Sequence, residues 1–268
     1  MSKHKDLFKR VSELEIEQSP YVIATVFKVK GSSSGKVGDK ALFNKNGERI
    51  LGYIGGGCIE NRVASTAKET LLDGVPKIVE IDLDSDEIAM GIPCGGYMSV
   101  IVEPQKPNPV LLIRGMGRVV EVLCKMAKLL KFNVVIHTDE NERERYPDAD
   151  SILTKALEIE DLDFKIDYFV LATHHRDDDK LSFDAIKKGI PYVGVISSSK
   201  KAEIIKAYLL KKNIAESEMN RFYAPIGLDL NSDTPEQIAL SILSEMVMIQ
   251  NKASGLQMKD TKSPQSKV

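Results

Sequence analysis

Tryptophan is absent from this 268-residue chain, and cysteine occurs three times, as Cys58, Cys94 and Cys124. Their uneven spacing, with no Cys-x-x-Cys pair, argues against a disulfide framework or a structural zinc site. A reducing, cytoplasmic setting is the simplest expectation. No run of about 18 apolar residues occurs, so no membrane span is expected. The opening residues, MSKHKDLFKR, lack the apolar core of a secretory signal. A basic excess is missing too. Lys and Arg number 37 against 39 Asp and Glu, a net charge of -2, and a pI near 6.2 offers no field for nucleic acid. No internal repeat is present.

What is present is a chain with 43% hydrophobic residues, enough for one large or two medium domains. Its most distinctive stretch is GYIGGGCIE, residues 52–60. An apolar strand-like run, 49–54, ends in Gly55, Gly56 and Gly57, and a helical pattern begins at Cys58. Glycines between a strand and a helix let the backbone pass close to a bound group, and the first helical N–H groups then favour an anion. Cys58 at that helix start is a candidate thiolate. Taken alone, the segment also fits a tight turn with a small core cysteine.

The flanking segments repeat this chemistry. Leu7, Val11 and Leu14 mark a surface helix over 3–17, and residues 21–29 read as a buried strand. The loop after it holds Gly31, Ser32, Gly35 and Gly38 among Lys30, Lys36 and Lys40, a cradle for phosphate or a solvated turn. Asn46-Gly47 signals a hairpin between strands at 41–44 and 49–54. A strand over 77–83 leads into the acidic run Asp82–Glu87, read as solvated. Cys94, Gly95 and Gly96 then precede a strand at 99–102, a second glycine-adjacent thiol. Residues 103–109 carry three prolines and mark a domain boundary.

Beyond it the pattern changes. A strand at 110–113 runs into Gly115-Met116-Gly117, an amphipathic helix to about residue 130, and a strand at 133–137 followed by Asp139, 22 residues after Gly117. This is the dinucleotide pattern, except that Val120 holds the third glycine position, where it should push helix and strand apart. A helix is expected over 150–160 and a buried strand over 168–172. That strand ends at Thr173, His174, His175 and a run of aspartates, which are site candidates or a polar loop starting the next helix. A strand at 191–196 leads to Ser197–Lys201, a phosphate holder or a helix cap. Thr234, Pro235 and Gln237 predict a capping box. The fold class expected is α/β, with an N-terminal mixed domain at 1–104, a Rossmann-like parallel-sheet domain at 105–252 and a disordered tail at 253–268.

Together GSSSGKVGDKAL, GYIGGGCIE, MGIPCGG with IVEP, the GMG unit, ATHHRDDD, YVGVISSSKK and APIGLDL…TPEQIALSILSE resemble the XdhC/CoxI family, in order and over most of residues 20–247. The resemblance implies a cytoplasmic, homodimeric chaperone that binds molybdenum cofactor (molybdopterin). It would protect the cofactor during exchange of an oxo for a sulfido ligand, with a cysteine desulfurase as sulfur donor, and deliver it to a molybdenum hydroxylase apoenzyme of the xanthine or carbon monoxide dehydrogenase type. Such a chaperone is not itself a catalyst. Where family members carry Pro-Arg after the first Gly-Ser pair, this chain has Ser34-Gly35, leaving Lys36 or Lys40 to meet an anion. The cofactor residues expected are Gly31, Ser32 and Lys40, then Gly55, Gly56, Gly57, Cys58 and Glu60, then Cys94, Gly95 and Gly96. Cys124 is expected to be structural. Any nucleotide would lie at Gly115, Met116, Gly117, Asp139, Thr173 and His174. Two alternatives stand beside this: an NAD(P)-dependent oxidoreductase built on the second domain, and a non-catalytic interaction protein.

Overall fold

The structure is a computed structural model that describes residues 5–31, 33–82, 96–173 and 177–261. Ser32, Cys94, Gly95, His174 and most of the acidic run at 82–87 lie outside the described residues. The chain divides into two compact units, 1–107 and 108–268.

The first unit follows the order α1 (Lys5–Ile16), β1 (Tyr21–Gly31), β2 (Lys40–Asn44), β3 (Arg49–Gly52), α2 (Cys58–Asp73), β4 (Lys77–Asp82) and β5 (Gly96–Gln105). Its sheet runs β3-β2-β1-β5-β4, with every pair antiparallel. Alternation along β1 sends Val22, Ala24 and Val26 under Ile59 and Val63 of α2. Tyr21 meets Leu7 and Leu14 of α1 on the opposite face. The Asn-Gly hairpin forms as expected, with Gly47 at φ 74°. Helix α2 stops at Gly74, whose N–H donates to the Thr70 carbonyl. Strand β3 is shorter than expected because the chain turns at Gly52, φ 87°. Strand β5 is longer at both ends and includes Pro104 opposite Val22. Pro104 lies past Val102, the last residue paired with β4, where a missing N–H interrupts nothing on that side.

The second unit contains β6 (Val110–Gly115), α3 (Arg118–Leu129), β7 (Asn133–His137), β8 (Ser151–Leu153), β9 (Tyr168–Ala172), α4 (Asp178–Lys187), β10 (Tyr192–Val195), α5 (Ser199–Lys211), α6 (Glu216–Met219), β11 (Phe222–Tyr223) and α7 (Pro235–Gln250). The sheet order is β11-β10-β9-β6-β7-β8, and all of its pairs are parallel. Helices α3 and α7 cover one face through Val120, Leu123, Ile242 and Met246. Helices α4 and α5 cover the other through Ile186, Ile205 and Leu209. This is a doubly wound α/β sheet, and its strand order reverses between β6 and β9.

One predicted element is overturned. Residues 150–160 form β8 and a 3-10 turn at Ile159–Asp161, not a helix. Asp150 is engaged by β7 on both sides: its carboxylate accepts the Val134 N–H at 2.7 Å, and its own N–H donates to the Val134 carbonyl at 2.9 Å. Pairing with β7 satisfies the backbone, and the helical spacing of apolar residues loses to it. The stretch from residue 253, expected to be disordered, is exposed up to Asp260 and carries one 3-10 turn, Met258–Asp260. Among the described residues no helix is long and apolar enough to cross a membrane.

The capping box of α7 is present: Thr234 Oγ1 accepts the Gln237 N–H at 3.3 Å, and Gln237 Oε1 accepts the Thr234 N–H at 3.3 Å. Thr234→Ala should cost about 1 kcal/mol in equilibrium urea unfolding, and Thr234→Ser should recover most of it.

Candidate functional site

In the first unit the sequence motifs converge. Gly31 at the end of β1 stands directly opposite Gly96 at the start of β5. Gly35 is buried, and a Cβ there would overlap the Ile54 carbonyl and stand 2.8 Å from Met98 Cε. Only glycine allows that approach. The Gly31–Lys40 loop, the Gly52–Cys58 turn and the start of β5 therefore meet at one end of the sheet. Cys58 is the first residue of α2 and is exposed. Gly57 before it has φ 50°, and no side chain caps the helix. In this first turn the Ile59 N–H donates to the Gly56 carbonyl at 3.3 Å and the Asn61 N–H to the Gly57 carbonyl at 3.1 Å.

Two predicted residues have other employment. Glu60 accepts from Arg49 Nε at 2.9 Å, and the same guanidinium donates to the Gly52 carbonyl at 2.6 Å. Glu60 thus ties β3 to the start of α2, with its charge offset. Lys40 donates to Thr25 Oγ1 at 2.8 Å. It lines a cavity of about 220 Å3 with Asp6 and Leu7 of α1, on the sheet face opposite α2. The structure does not bring its ammonium to Cys58.

The second unit holds the larger cavity, about 480 Å3, beyond the carboxyl ends of β6, β9 and β10 at the strand-order reversal. Open α/β sheets bind ligands at that position. Gly115 makes it possible: a Cβ there would overlap the Ala172 carbonyl of β9. Met116, Gly117 and Arg118 form one wall, Thr173 the floor, and Ser197, Ser198 and Lys201 the other wall. No side chain caps α3, whose N-terminus opens here.

Beneath the floor lies a charged network. Asp178 is 3% exposed and Lys201 17%, and the two form an ion pair. The other Asp178 oxygen accepts the Thr173 hydroxyl. Ser198 caps α5 by accepting the Lys201 N–H at 3.3 Å. The Ser197 Oγ is buried and without a hydrogen-bond partner. Among the described residues, no acidic side chain lines the cavity.

Of the predicted nucleotide residues, Gly115, Met116, Gly117 and Thr173 come together around this cavity. Asp139 is exposed at the end of β7 and does not line it. Val120 does not push α3 off the sheet: it is fully buried and packs in the core with Leu111 and Ile136. Tyr146 was invisible in the sequence. It is 2% exposed, and its hydroxyl accepts the Gly117 N–H at 3.0 Å. Nothing local links positions 117 and 146, so no spacing rule finds the pair.

A second buried group sits on the adjoining strands. Arg114 Nη1 donates to His137 Nδ1 at 2.6 Å, and His137 Nε2 meets the Lys155 carbonyl at 2.6 Å. The carbonyl requires the proton on Nε2, so the ring is neutral and accepts from Arg114. Burial lowers its pKa from the usual histidine value, and the Arg114 charge adds to this against the Lys155 carbonyl. Around and below pH 6.5 the unfolded chain binds more protons at this position than the folded one. The stability contributed by neutral His137 is present above pH 6.5 and is lost as pH falls toward the lower folded value. His137→Gln should show a shallower loss of stability between pH 7 and 5 than the parent chain in urea unfolding. Cys124 is 1% exposed, and burial pushes its thiol up to about 11. Iodoacetamide at pH 7.5 should modify Cys58 in the folded chain and Cys124 only after unfolding, as read by mass spectrometry.

Comparison with known proteins gives a consistent assignment. The model of the XdhC Rossmann domain matches residues 111–246, and that of the XdhC and CoxI family matches residues 16–82. The uncharacterized protein YqeB of Escherichia coli K12 is 29% identical over 93% of this chain, which spans 47% of that protein. A probable xanthine dehydrogenase subunit of Bacillus subtilis is 20% identical over 89% of this chain and 96% of its own length. A solved structure of a xanthine dehydrogenase from Bacillus halodurans covers 98% of both chains at 22% identity and a TM-score of 0.48. With both units matched in order, the chain belongs to the XdhC/CoxI family.

Proposed function

We propose that this chain is a maturation factor for an enzyme of the xanthine dehydrogenase type, which it supplies with molybdenum cofactor. The observation that carries the reading is the meeting of three glycine-bearing segments at one end of the sheet, one of them the turn that leads into the uncapped start of α2 and its exposed Cys58. Family membership supports it, as does a relative named as a probable component of xanthine dehydrogenase.

The donor set fits the cargo. Molybdenum cofactor presents a phosphate and an oxygen-ligated metal on a dithiolate. A carrier for it needs outward N–H donors, few free carboxylates and a soft ligand. The glycine turn before α2 and the remaining N–H groups of its first turn would supply the donors, and Cys58 would supply the sulfur. Arg49 offsets Glu60, the carboxylate nearest in sequence. Lys40 donates one of its three N–H bonds to Thr25. Sulfur at the sulfide level, from a cysteine desulfurase together with a reductant, would replace an oxo ligand of the bound cargo, the oxygen leaving as water. The chain's own part is to hold and shield it until transfer.

The NAD(P)-dependent oxidoreductase reading is favoured by the cavity at the strand-order reversal. It is weakened by Tyr146, which occupies the N–H of the second fingerprint glycine.

The test is cofactor retention. The chain is expressed in a host that makes the cofactor and purified without oxygen, and molybdenum and pterin per chain are measured. Cys58→Ser should retain at least tenfold less than the parent. Full retention by Cys58→Ser and by Cys94→Ser would refute the proposal, and saturable NAD(P) binding without cofactor would favour the oxidoreductase.

A further inference from the structure

The first unit holds a cavity of about 220 Å3 between the start of α1 and the end of β3, lined by Asp6, Leu7, Lys40, Leu51 and Tyr53. We infer that this cavity takes the aminopyrimidinone end of a pterin ring. Asp6 reads the N–H edge of that ring, Lys40 its carbonyl, and Tyr53 packs against its face.

Size and walls suit one flat ring system. An apolar cavity of about 150 Å3 holds benzene, and sites for drug-sized ligands run from about 300 Å3 upward. A volume of about 220 Å3 lies between them and admits a bicyclic ring but not a whole nucleotide. Leu7, 4% exposed, and Leu51 supply apolar surface, and the Tyr53 ring is 44% exposed and open to a stacking partner.

The polar groups are of both signs. Lys40 Nζ donates to Thr25 Oγ1 at 2.8 Å and keeps two further N–H bonds. Asp6, in the first turn of α1, has neither a hydrogen bond nor an ion pair among the described residues. Asp39 also lines the cavity, but it is buried, and one of its oxygens accepts the Lys36 N–H at 2.8 Å. Its part is to hold the loop. An inorganic anion at this site would meet two carboxylates, and a simple cation would meet the ammonium. A neutral ring with donors and an acceptor along one edge answers both. In an aminopyrimidinone the ring N–H and the neighbouring amino group give a carboxylate two parallel charge-assisted bonds. The adjacent ring carbonyl accepts from an ammonium.

Tyr53 links the cavity to the site already described. It opens the turn that leads to Cys58, and its hydroxyl lies 3.9 Å from where a Cβ on Gly56 would stand. A pterin against this ring has the glycine turn before α2 beside it to receive its substituents. The choice of a pterin rests on the function proposed for this chain. Guanine presents the same edge, and the test separates the two.

The full chain is titrated against pterin, and against lumazine, which has a carbonyl in place of the amino group, with the fluorescence anisotropy of each ring as the readout. Pterin should bind saturably, and lumazine at least tenfold more weakly. Asp6→Asn turns one acceptor into a donor at an exposed position, so the fold should persist while pterin affinity falls at least tenfold and the preference over lumazine disappears. Tyr53→Leu should weaken both rings at least threefold and leave the preference intact. Guanosine that displaces pterin with a lower Kd than pterin's own would identify a guanine base as the ligand, and weaker displacement identifies a pterin. Absence of saturable pterin binding would overturn the inference, as would lumazine binding as tightly as pterin, or unchanged pterin affinity in Asp6→Asn and Tyr53→Leu. Free pterin carries neither phosphate nor metal, so the two readings fail separately. Cofactor retained by a chain that binds no pterin would sink this inference alone, and pterin bound by a chain that retains no cofactor would sink the carrier role and support the cavity.

Discussion

Backbone touching backbone, where no Cβ fits, is the constraint on which both units depend. In the first, Gly35 lies against the Ile54 carbonyl, and this contact brings the loop after β1 onto the turn before α2. In the second, Gly115 lies against the Ala172 carbonyl and lets β6 and β9 close up at their carboxyl ends. Neither contact contributes much attraction by itself. Each works by exclusion, since any side chain would force the loops apart and dismantle the surface they form. The cavity in the second unit and the cluster of loops in the first are both built beside such a contact.

Charge is then handled by pairing. Asp178 is nearly inaccessible and is tolerated because Lys201 and Thr173 satisfy both of its oxygens. Burying an ion pair costs desolvation, and removing either partner would leave the other charge buried and uncompensated. His137 takes the other solution and stays neutral between a guanidinium and a carbonyl. Arg49 and Glu60 form a partly exposed pair that adds little energy and links β3 to the first turn of α2. The ladder of Phe132, Tyr168, Tyr192 and Tyr223, with ring centroids 4.3–5.5 Å apart, stiffens the core under the sheet.

Local patterns in the sequence predicted most elements because they act over a few residues. The Asn46-Gly47 turn, the Thr234 cap and the GxG turn each depend on neighbours within four positions. The error at 150–160 has the same origin. Apolar spacing there is helical, but β8 forms because β7 offers an edge to pair with. The motif does not show that Lys40 donates to Thr25, 15 residues away, or that Glu60 accepts from Arg49, 11 residues away. The family pattern showed which loops matter without showing which side chains in them are free.

By itself the sequence determined the two-part α/β organisation, the strand-to-helix glycine turns and the family, because these follow from short-range geometry and from motif order. The tertiary structure alone decided that Gly31 faces Gly96, that Tyr146 occupies the Gly117 N–H, and that Asp178 holds Lys201 beside an unpartnered Ser197. Each of these joins residues far apart in the chain. Hydrogen-bond satisfaction and desolvation act on distance in space, and no spacing along a sequence encodes that distance.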